Sequence, residues 1–403
     1  MSARVAVTGI GLVAANADSS ASFAEALREG RSGVGEVRGF DTGVAFRQAA
    51  EVRTMPAAAA RDGDGPAGAR AEAHLDRVSL LAVAAGFQAV ADSGLEGDGW
   101  RLAAPLFLGT SRGPAQSLER LQRPLEVHDR GELLEEVPFA SIGRNVARRL
   151  GLGGPVSTVT MACVSSSVAV GCAIDAIRDG EAEVALAGGA DALTLLSYSG
   201  FSVLRAMTRS LCRPFDRDRD GMVLGEGAAI LVVESLERAR RRGARIYAEL
   251  LGWGVAGDAY HPTGPHPEGR GLAAALRTAL AEARLDPEAV DHLNLHGTGT
   301  RANDRAEAQA VRRVFGDRKV PVNSLKPLVG HTLGGAGSLE LAGTLLGLEG
   351  GFVAPTLNWR RPDPEIPLDV VAGDAAREVP LSVVVSTKSA FGGANAAIVA
   401  GRS

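Results

Sequence analysis

VSTVTMACVSSSVAVGCAIDAIRDG, residues 156–180, sets a strand, a cysteine and a helix in that order. Val156–Ala162 reads as a strand rich in Val and Thr. From Val164 onward, Val170, Ile174 and Ile177 fall at i, i+4 and i+7, one face of a helix that Gly180 can end. Cys163 therefore sits at the strand-to-helix turn. The free N–H groups and dipole of a helix start favour a thiolate, so the position is expected to lower the thiol pKa. The competing role is that of a small buried hydrophobe, which is the usual fate of a cysteine. Cys172 lies within the helix and is expected in the core.

Outward from this stretch, strand-like and helical segments alternate to both ends, the pattern of a layered α/β protein. Arg4–Val7 and Leu106–Gly109 read as strands, and Ser22–Arg28 and Arg77–Ser93 as helices. Residues 56–72, biased to Ala, Gly, Asp and Pro, read as a flexible surface excursion. The two halves echo each other in order: LFLG at 106–109 with LNLHG at 293–297, and VSTVTMAC at 156–163 with VPVNSLK at 320–326. GEGAAILVV at 225–233 is echoed by GGANAAIVA at 392–400. These echoes predict a duplicated α/β unit, residues 1–243 and 244–403, divided near the charged stretch Arg240–Arg245.

The 403 residues carry 43 Lys and Arg against 47 Asp and Glu, a net charge of −4 that excludes a general nucleic-acid binder. A 45 % hydrophobic and 22 % charged composition suits a globular protein and excludes disorder for the bulk. Cys163, Cys172 and Cys212 match neither a disulfide framework nor a CxxC metal site. The start, MSARVAVTGIGLVAANADSS, is not a signal peptide, and no run is long and apolar enough for a membrane span. The expected setting is the cytoplasm.

Two histidines occupy junctions like that of Cys163. His296 ends the alternating segment His292–His296 and opens HGTGT, whose small residues permit a ligand's close approach. His331 lies in SLKPLVGHTLGGAGSLE, five residues after Lys326 and before a helix whose Leu341, Leu345 and Leu348 share a face. A cysteine at a helix start with two such histidines supplies a nucleophile and two donors for a developing oxyanion. The closing turn SAFGGANAA, 389–397, can aim backbone N–H groups at the same oxygen. No ligand spacing for a metal accompanies these residues.

The ordered set MAC at 161–163, RPFDRDRDGMVLGEGA at 213–228, HGTGTRAND at 296–304, KPLVGHTLGGAG at 326–337 and FGGANA at 391–396 resembles the elongating β-ketoacyl-acyl carrier protein synthases. These are the ketosynthases of fatty acid and type II polyketide synthesis, in the thiolase superfamily, and the resemblance spans essentially the whole chain. It implies a thiolase-like duplicated αβαβα five-layer fold. It makes Cys163 the acyl-accepting nucleophile, His296 and His331 its partners, and Lys326 an electrostatic support. Thr298 and Thr300 match threonines that contact the carrier's pantetheine arm. Phe391 matches a gating phenylalanine whose N–H, with that of Cys163, forms the oxyanion hole. Asp304 and Glu307 match acidic residues that organise the site. The implied reaction is condensation of an acyl-Cys with malonyl-acyl carrier protein, with loss of carbon dioxide, to give a 3-oxoacyl carrier. Acyl- and malonyl-loaded carrier protein are the implied partners, with a homodimer or a heterodimer of ketosynthase-like chains. No resident metal or organic cofactor is implied, because the phosphopantetheine belongs to the carrier.

Four segments depart from the family's usual wording: Met161-Ala162-Cys163-Val164-Ser165, a short MTRSLCRPFD at 207–216, TKSAFGG at 387–393, and LFLGTSRG at 106–113. The last places Arg112 near the implied acyl pocket as a substrate-binding residue. None removes a catalytic residue, and together they point to a specialised polyketide pathway as readily as to housekeeping fatty acid synthesis. A coenzyme A thiolase needs a second cysteine near its C-terminus, and no Cys follows Cys212. A non-catalytic chain-length partner would lack the nucleophile that Cys163 provides. The chain carries no acyltransferase or carrier region, so it is expected to work as a discrete protein.

Overall fold

The computed structural model describes residues 3–44, 46–56, 75–124 and 127–403. Its main sheet has eleven strands. The first five are β1 (Val5–Ala14), β2 (Leu106–Gly109), β3 (Val156–Val159), β4 (Val184–Asp191) and β5 (Gly227–Ser235). The rest are β6 (Ala248–Gly257), β7 (His292–Asn294), β8 (Pro321–Asn323), β9 (Asp369–Val370), β10 (Val383–Ser389) and β11 (Ala394–Gly401). The helices that matter below are α1 (Arg77–Ser93), α2 (Ala140–Leu150), α3 (Ser165–Arg178), α4 (Leu195–Val203), α5 (Arg270–Ala283), α6 (Arg301–Phe315) and α7 (Ala336–Gly350).

Across the sheet the order is β9-β8-β7-β10-β11-β6-β1-β5-β4-β2-β3. In one half β1/β5 and β5/β4 are antiparallel, while β4/β2 and β2/β3 are parallel. The other half repeats this: β6/β11 and β11/β10 antiparallel, β10/β7 and β7/β8 parallel. The halves meet where β1 pairs with β6 over Val5–Val7. The three sequence echoes fall on equivalent strands, β2 with β7, β3 with β8 and β5 with β11.

Side-chain alternation builds the layers, because successive residues of a strand point to opposite faces. Ala229, Leu231 and Val233 of β5 join Val170, Ile174 and Ile177 of α3 and Leu339, Leu345 and Leu348 of α7 in a central core. The intervening Ala228, Ile230 and Val232 pack outward with residues of α1 and α2. In β11, Ile398 and Ala400 face the central core, while Ala397 and Val399 face the core formed with α5 and α6. Strands covered on both faces read as near-continuous apolar runs. The result is the duplicated αβαβα five-layer arrangement, with α3 and α7 as its buried middle layer.

Arg77–Ser93 and Leu106–Gly109 form with the bounds their sequences predict. The first strand is longer than Arg4–Val7. Gly9 and Gly11 continue the strand as sites of close packing. A Cβ at Gly9 would lie 2.3 Å from the Ala89 carbonyl oxygen, and one at Gly11 would lie 1.9 Å from that of Ala85, so α1 rests directly on β1. The helix read from Ser22 begins at Ser20, because Ser19 and Ser22 form a capping box there. All but the first residue or two of the flexible stretch expected at 56–72 lie outside the described residues. No helix among the described residues is long and apolar enough to cross a membrane.

Candidate active site

The strand expected over Val156–Ala162 stops at Val159, since the chain must turn sharply before α3. Ala162 takes φ +49°, a left-handed conformation that is uncommon for a residue with a Cβ. Ser165 locks the turn: its Oγ accepts the Met161 N–H at 2.8 Å and donates to the Ala162 carbonyl at 2.6 Å. Val164 caps α3, so Cys163 stands one residue before the cap, and it is 6 % exposed. Gly180, at φ +74°, follows the end of α3 as the sequence suggests. Cys172 is only partly buried, contrary to the expected core position, and Cys212 is buried.

His331 and His296 arrive from the second half. A short helical turn, Lys326–Val329, ends at Gly330 with φ +67° and delivers His331, whose N–H donates to the Val223 carbonyl at 2.8 Å. Its Nε2 lies 3.2 Å from Cys163 Sγ. The strand expected over His292–His296 ends at Asn294, because the backbone beyond it turns to a side chain of α6. Glu307 accepts the N–H of His296 at 2.6 Å and that of Gly297 at 2.7 Å. The two imidazoles meet edge to face with centroids 5.0 Å apart. Lys326 is fully buried, donates to the His296 carbonyl oxygen at 3.0 Å and pairs with Glu340. It is not among the residues that line the cavity.

Electrostatics corrects one expectation. The Cys163 thiol is not depressed: burial pushes it up to about 12, outweighing the opposing pull of Lys326, Arg112 and the Phe391 N–H. Cys163 is thus a thiol near neutral pH, and to act as a nucleophile it would need a proton acceptor. Burial, Lys326 and Lys388 hold both His296 and His331 well below the ordinary histidine value, His331 adding to the effect on His296. Both imidazoles are therefore neutral near pH 7. Their Nδ1 atoms have no hydrogen-bond partner among the described residues.

The other expected site residues gather around this centre. A cavity of about 490 Å³ is lined by Cys163, His296, His331, Thr298, Thr300 and Phe391, among others. The Thr298 and Thr300 hydroxyls are 2.9 Å apart. Asp304 accepts the N–H groups of Phe215 at 2.8 Å and Gly299 at 3.2 Å, with the Arg219 guanidinium 3.7 Å away. Burial raises Asp304 to about 6 and Glu307 to about 7, and nearby Asp304 adds to the Glu307 shift. Asn303 bridges the two carboxylates. These side chains clamp the 296–300 loop from behind and stay out of the cavity wall, Asn303 excepted. Phe391 directs its N–H at the Cys163 sulfur and stacks on Phe201 of α4 at 5.7 Å. Arg112 is not a wall residue. Its guanidinium lies 5.7 Å from the Phe201 ring centre, and its Nε has no partner among the described residues.

The sequence reading missed Phe201, Glu340 and Lys388. A carboxylate inside the apolar run GSLELAG and a lysine inside VVVSTKS were the available signs, since a charge in a buried run needs a buried partner. A thiol beside two neutral imidazoles and an inward backbone N–H, at the base of a cavity, suits acyl transfer and the binding of a carbonyl oxygen.

Residues 2–239 match the family model described as beta-ketoacyl synthase, N-terminal domain, and residues 247–360 match beta-ketoacyl synthase, C-terminal domain. The chain is similar to the tetracenomycin polyketide synthase ketoacyl synthase alpha subunit of Streptomyces glaucescens. The two are 38 % identical over 420 residues, covering 99 % of this chain and 97 % of the relative. Among solved structures, the ishigamide ketosynthase/chain length factor matches with TM-score 0.92 at 36 % identity, covering 100 % of both chains. A type II PKS acyl-carrier protein in complex with its ketosynthase bound to the hexaketide matches at 0.90 and 28 % identity, again over 100 % of both chains. On the family match over both halves, and on a relative aligned along almost its whole length, this chain belongs to the beta-ketoacyl synthase family.

Proposed function

We propose that this chain is a catalytic ketosynthase of type II polyketide synthesis, condensing an acyl group held on Cys163 with malonyl-acyl carrier protein. The observation that carries the reading is the 3.2 Å approach of His331 Nε2 to Cys163 Sγ, with His296 edge-on beside it. A chain-length-factor partner has no use for such a nucleophile. The polyketide assignment and the carrier-protein partner draw support from the relatives named above, and so does pairing with a second ketosynthase-like chain. In this reading residues 1–243 supply the nucleophile and residues 244–403 the histidines.

In the first half-reaction, the Cys163 sulfur attacks the acyl thioester carbonyl while its proton passes to the neutral His331 Nε2. The N–H groups of Phe391 and Cys163 receive the oxyanion, and the carrier's thiol leaves with the proton. In the second, His296 donates to the thioester carbonyl oxygen of malonyl-carrier, and His331 joins it as a donor once its neutral ring carries the proton on Nε2 rather than Nδ1. The carbon–carbon bond to the carboxylate breaks, carbon dioxide leaves, and its electron pair forms the enolate. The enolate carbon attacks the Cys163 thioester and expels the sulfur as a thiolate, which takes up one proton from solvent to restore the thiol, giving 3-oxoacyl-carrier. Thr298 and Thr300 hold the pantetheine arm. Lys326, Asp304 and Glu307 position the histidines and their loop. No resident cofactor takes part.

Arg112 enters this scheme one layer back, through Phe201. An always-charged guanidinium backing Phe201 is costly to displace or desolvate further, so a long saturated chain should not extend past Phe201 and short or functionalised acyl groups should be preferred. The reaction is tested by mixing the purified chain with malonyl-carrier and either class of acyl-carrier. The reading expects carbon dioxide and 3-oxoacyl-carrier, faster from the short or functionalised class. No condensation product would reject the ketosynthase assignment. A preference for long saturated chains, or one unchanged in Arg112→Ile, would reject the role of Arg112.

The histidines also fix a pH dependence. A free imidazole gains its proton near pH 6.5, but both histidines here are held well below that value by burial and by Lys326. The imidazoles themselves should therefore gain no proton as the pH falls from 7.5 through 6.5, a window in which Glu307, raised to about 7, does titrate. A histidine-labelled NMR titration in which either ring protonates near 6.5 would contradict this.

A further inference from the structure

Behind the histidines lies a charge cluster that the scheme above does not use. Lys388 of β10, Lys326 and Glu340 of α7 are all fully buried, and α7 packs against β10. Glu340 pairs through Oε1 with Lys326, and its Oε2 lies 3.1 Å from Lys388 Nζ. One carboxylate thus faces two ammonium groups. Lys388 fills its remaining contacts with neutral acceptors: Asn294 Oδ1 of β7 at 2.9 Å, the Thr387 carbonyl at 2.7 Å and Ser386 Oγ at 3.3 Å. A buried cation without its own counter-charge is expensive, and a neutral side chain could satisfy Asn294 at lower cost. Such excess charge in a core is a mark of a functional site.

We propose that Lys388 is a positioning residue of the condensing site, a second buried ammonium that acts through Glu340 and through space to keep the His296–His331 pair as neutral donors. This deepens the ketosynthase reading and rests on it. Lys326 holds the His296 carbonyl, and Glu340 holds Lys326. Lys388 faces the other oxygen of Glu340 as an ion pair without a hydrogen bond, and leaves the group of Lys326, Glu340 and Lys388 net positive beside the imidazoles. The charges facing Lys388 are Glu340, Lys326 and the more distant Glu307. Those facing the histidines are Lys326, Lys388 and each other for His296, and Lys326 and Lys388 for His331. Burial and Lys326 pull Lys388 down to about 8 against Glu340 and Glu307, so it carries its charge at neutral pH and below. Within that range its repulsion disfavours imidazolium. Without it, the histidines should accept protons at higher pH.

The test compares pH profiles of malonyl-carrier decarboxylation for the wild type, Lys388→Met and Lys388→Gln, with thermal melts to confirm folding. Asp304 and Glu307, raised to about 6 and about 7, titrate between pH 7.5 and 5.5 in every chain, so each variant's rate is read as a ratio to the wild type at the same pH. Both variants should stay within several-fold of wild type at pH 7.5, with KM unchanged, and should lose at least tenfold in that ratio by pH 5.5. The double variant Glu340→Gln/Lys388→Met restores one net positive charge through Lys326, so its acid limb should move back toward that of the wild type. A histidine-labelled NMR titration of wild type and Lys388→Gln gives a readout independent of turnover, and should show the His296 and His331 resonances titrating at higher pH in the variant. Superimposable profiles, or an equal loss at every pH without rescue, would overturn the proposal and leave Lys388 a packing residue. Absence of decarboxylation in the wild type would instead reject the ketosynthase reading, with the NMR titration still deciding the effect of Lys388 on the imidazoles.

Discussion

His296→Ala and His331→Ala are each expected to cut malonyl decarboxylation by about a hundred- to a thousandfold while retaining measurable acylation of Cys163. The size follows from the general cost of one lost oxyanion donor, about 2.7–4 kcal/mol. The direction follows from geometry. The imidazoles sit edge to face at 5.0 Å, within one cavity wall, where a thioester oxygen between them would meet two donors as its charge develops. His331 also faces the Cys163 sulfur at 3.2 Å, so its variant should slow acylation more than the His296 variant does. Release of labelled carbon dioxide from malonyl-carrier measures the first effect. Near-normal release in both variants would contradict the assigned role.

Cys163→Ala should behave in the opposite way: condensation falls to background while decarboxylation survives. The substitution removes the thiol that the proposed reaction acylates, yet it leaves both histidines and the loop clamped by Glu307 and Asp304 intact. Malonyl-carrier should then decay to acetyl-carrier and carbon dioxide with no 3-oxoacyl product. Separation of the products by mass decides it. Persistent condensation, or parallel loss of both steps, would show that the two half-reactions do not divide between cysteine and histidines.

The contrast between the two sets of variants reflects how the fold delivers the site. Cys163 follows β3, and the segment carrying Lys326 and His331 follows β8, the equivalent strand of the other half. That equivalence was legible because VSTVTMAC and VPVNSLK echo each other in the sequence. So were α1 and β2, whose periodicity and flanking residues define them locally. The length of β1 was not, because Gly9 and Gly11 owe their places to the tight seat of α1, a contact more than seventy residues away in sequence. The thiol's ionisation was hidden for a similar reason. A helix start argues for a thiolate, but burial in the folded chain outweighs it, and burial is not readable from the local stretch. Lys388 and Glu340, which the sequence reading passed over, each stand in an apolar run, and only the packing of α7 on β10 shows that they answer one another.

The central claim is that Cys163 accepts the acyl group, and the intact mass of the chain tests it most directly. After incubation with acyl-loaded carrier protein, the wild type should gain the mass of one acyl group and lose it again when malonyl-carrier is added. Cys163→Ala should gain nothing. A wild type that stays unmodified, or a Cys163→Ala chain that still takes up the acyl group, would contradict the account.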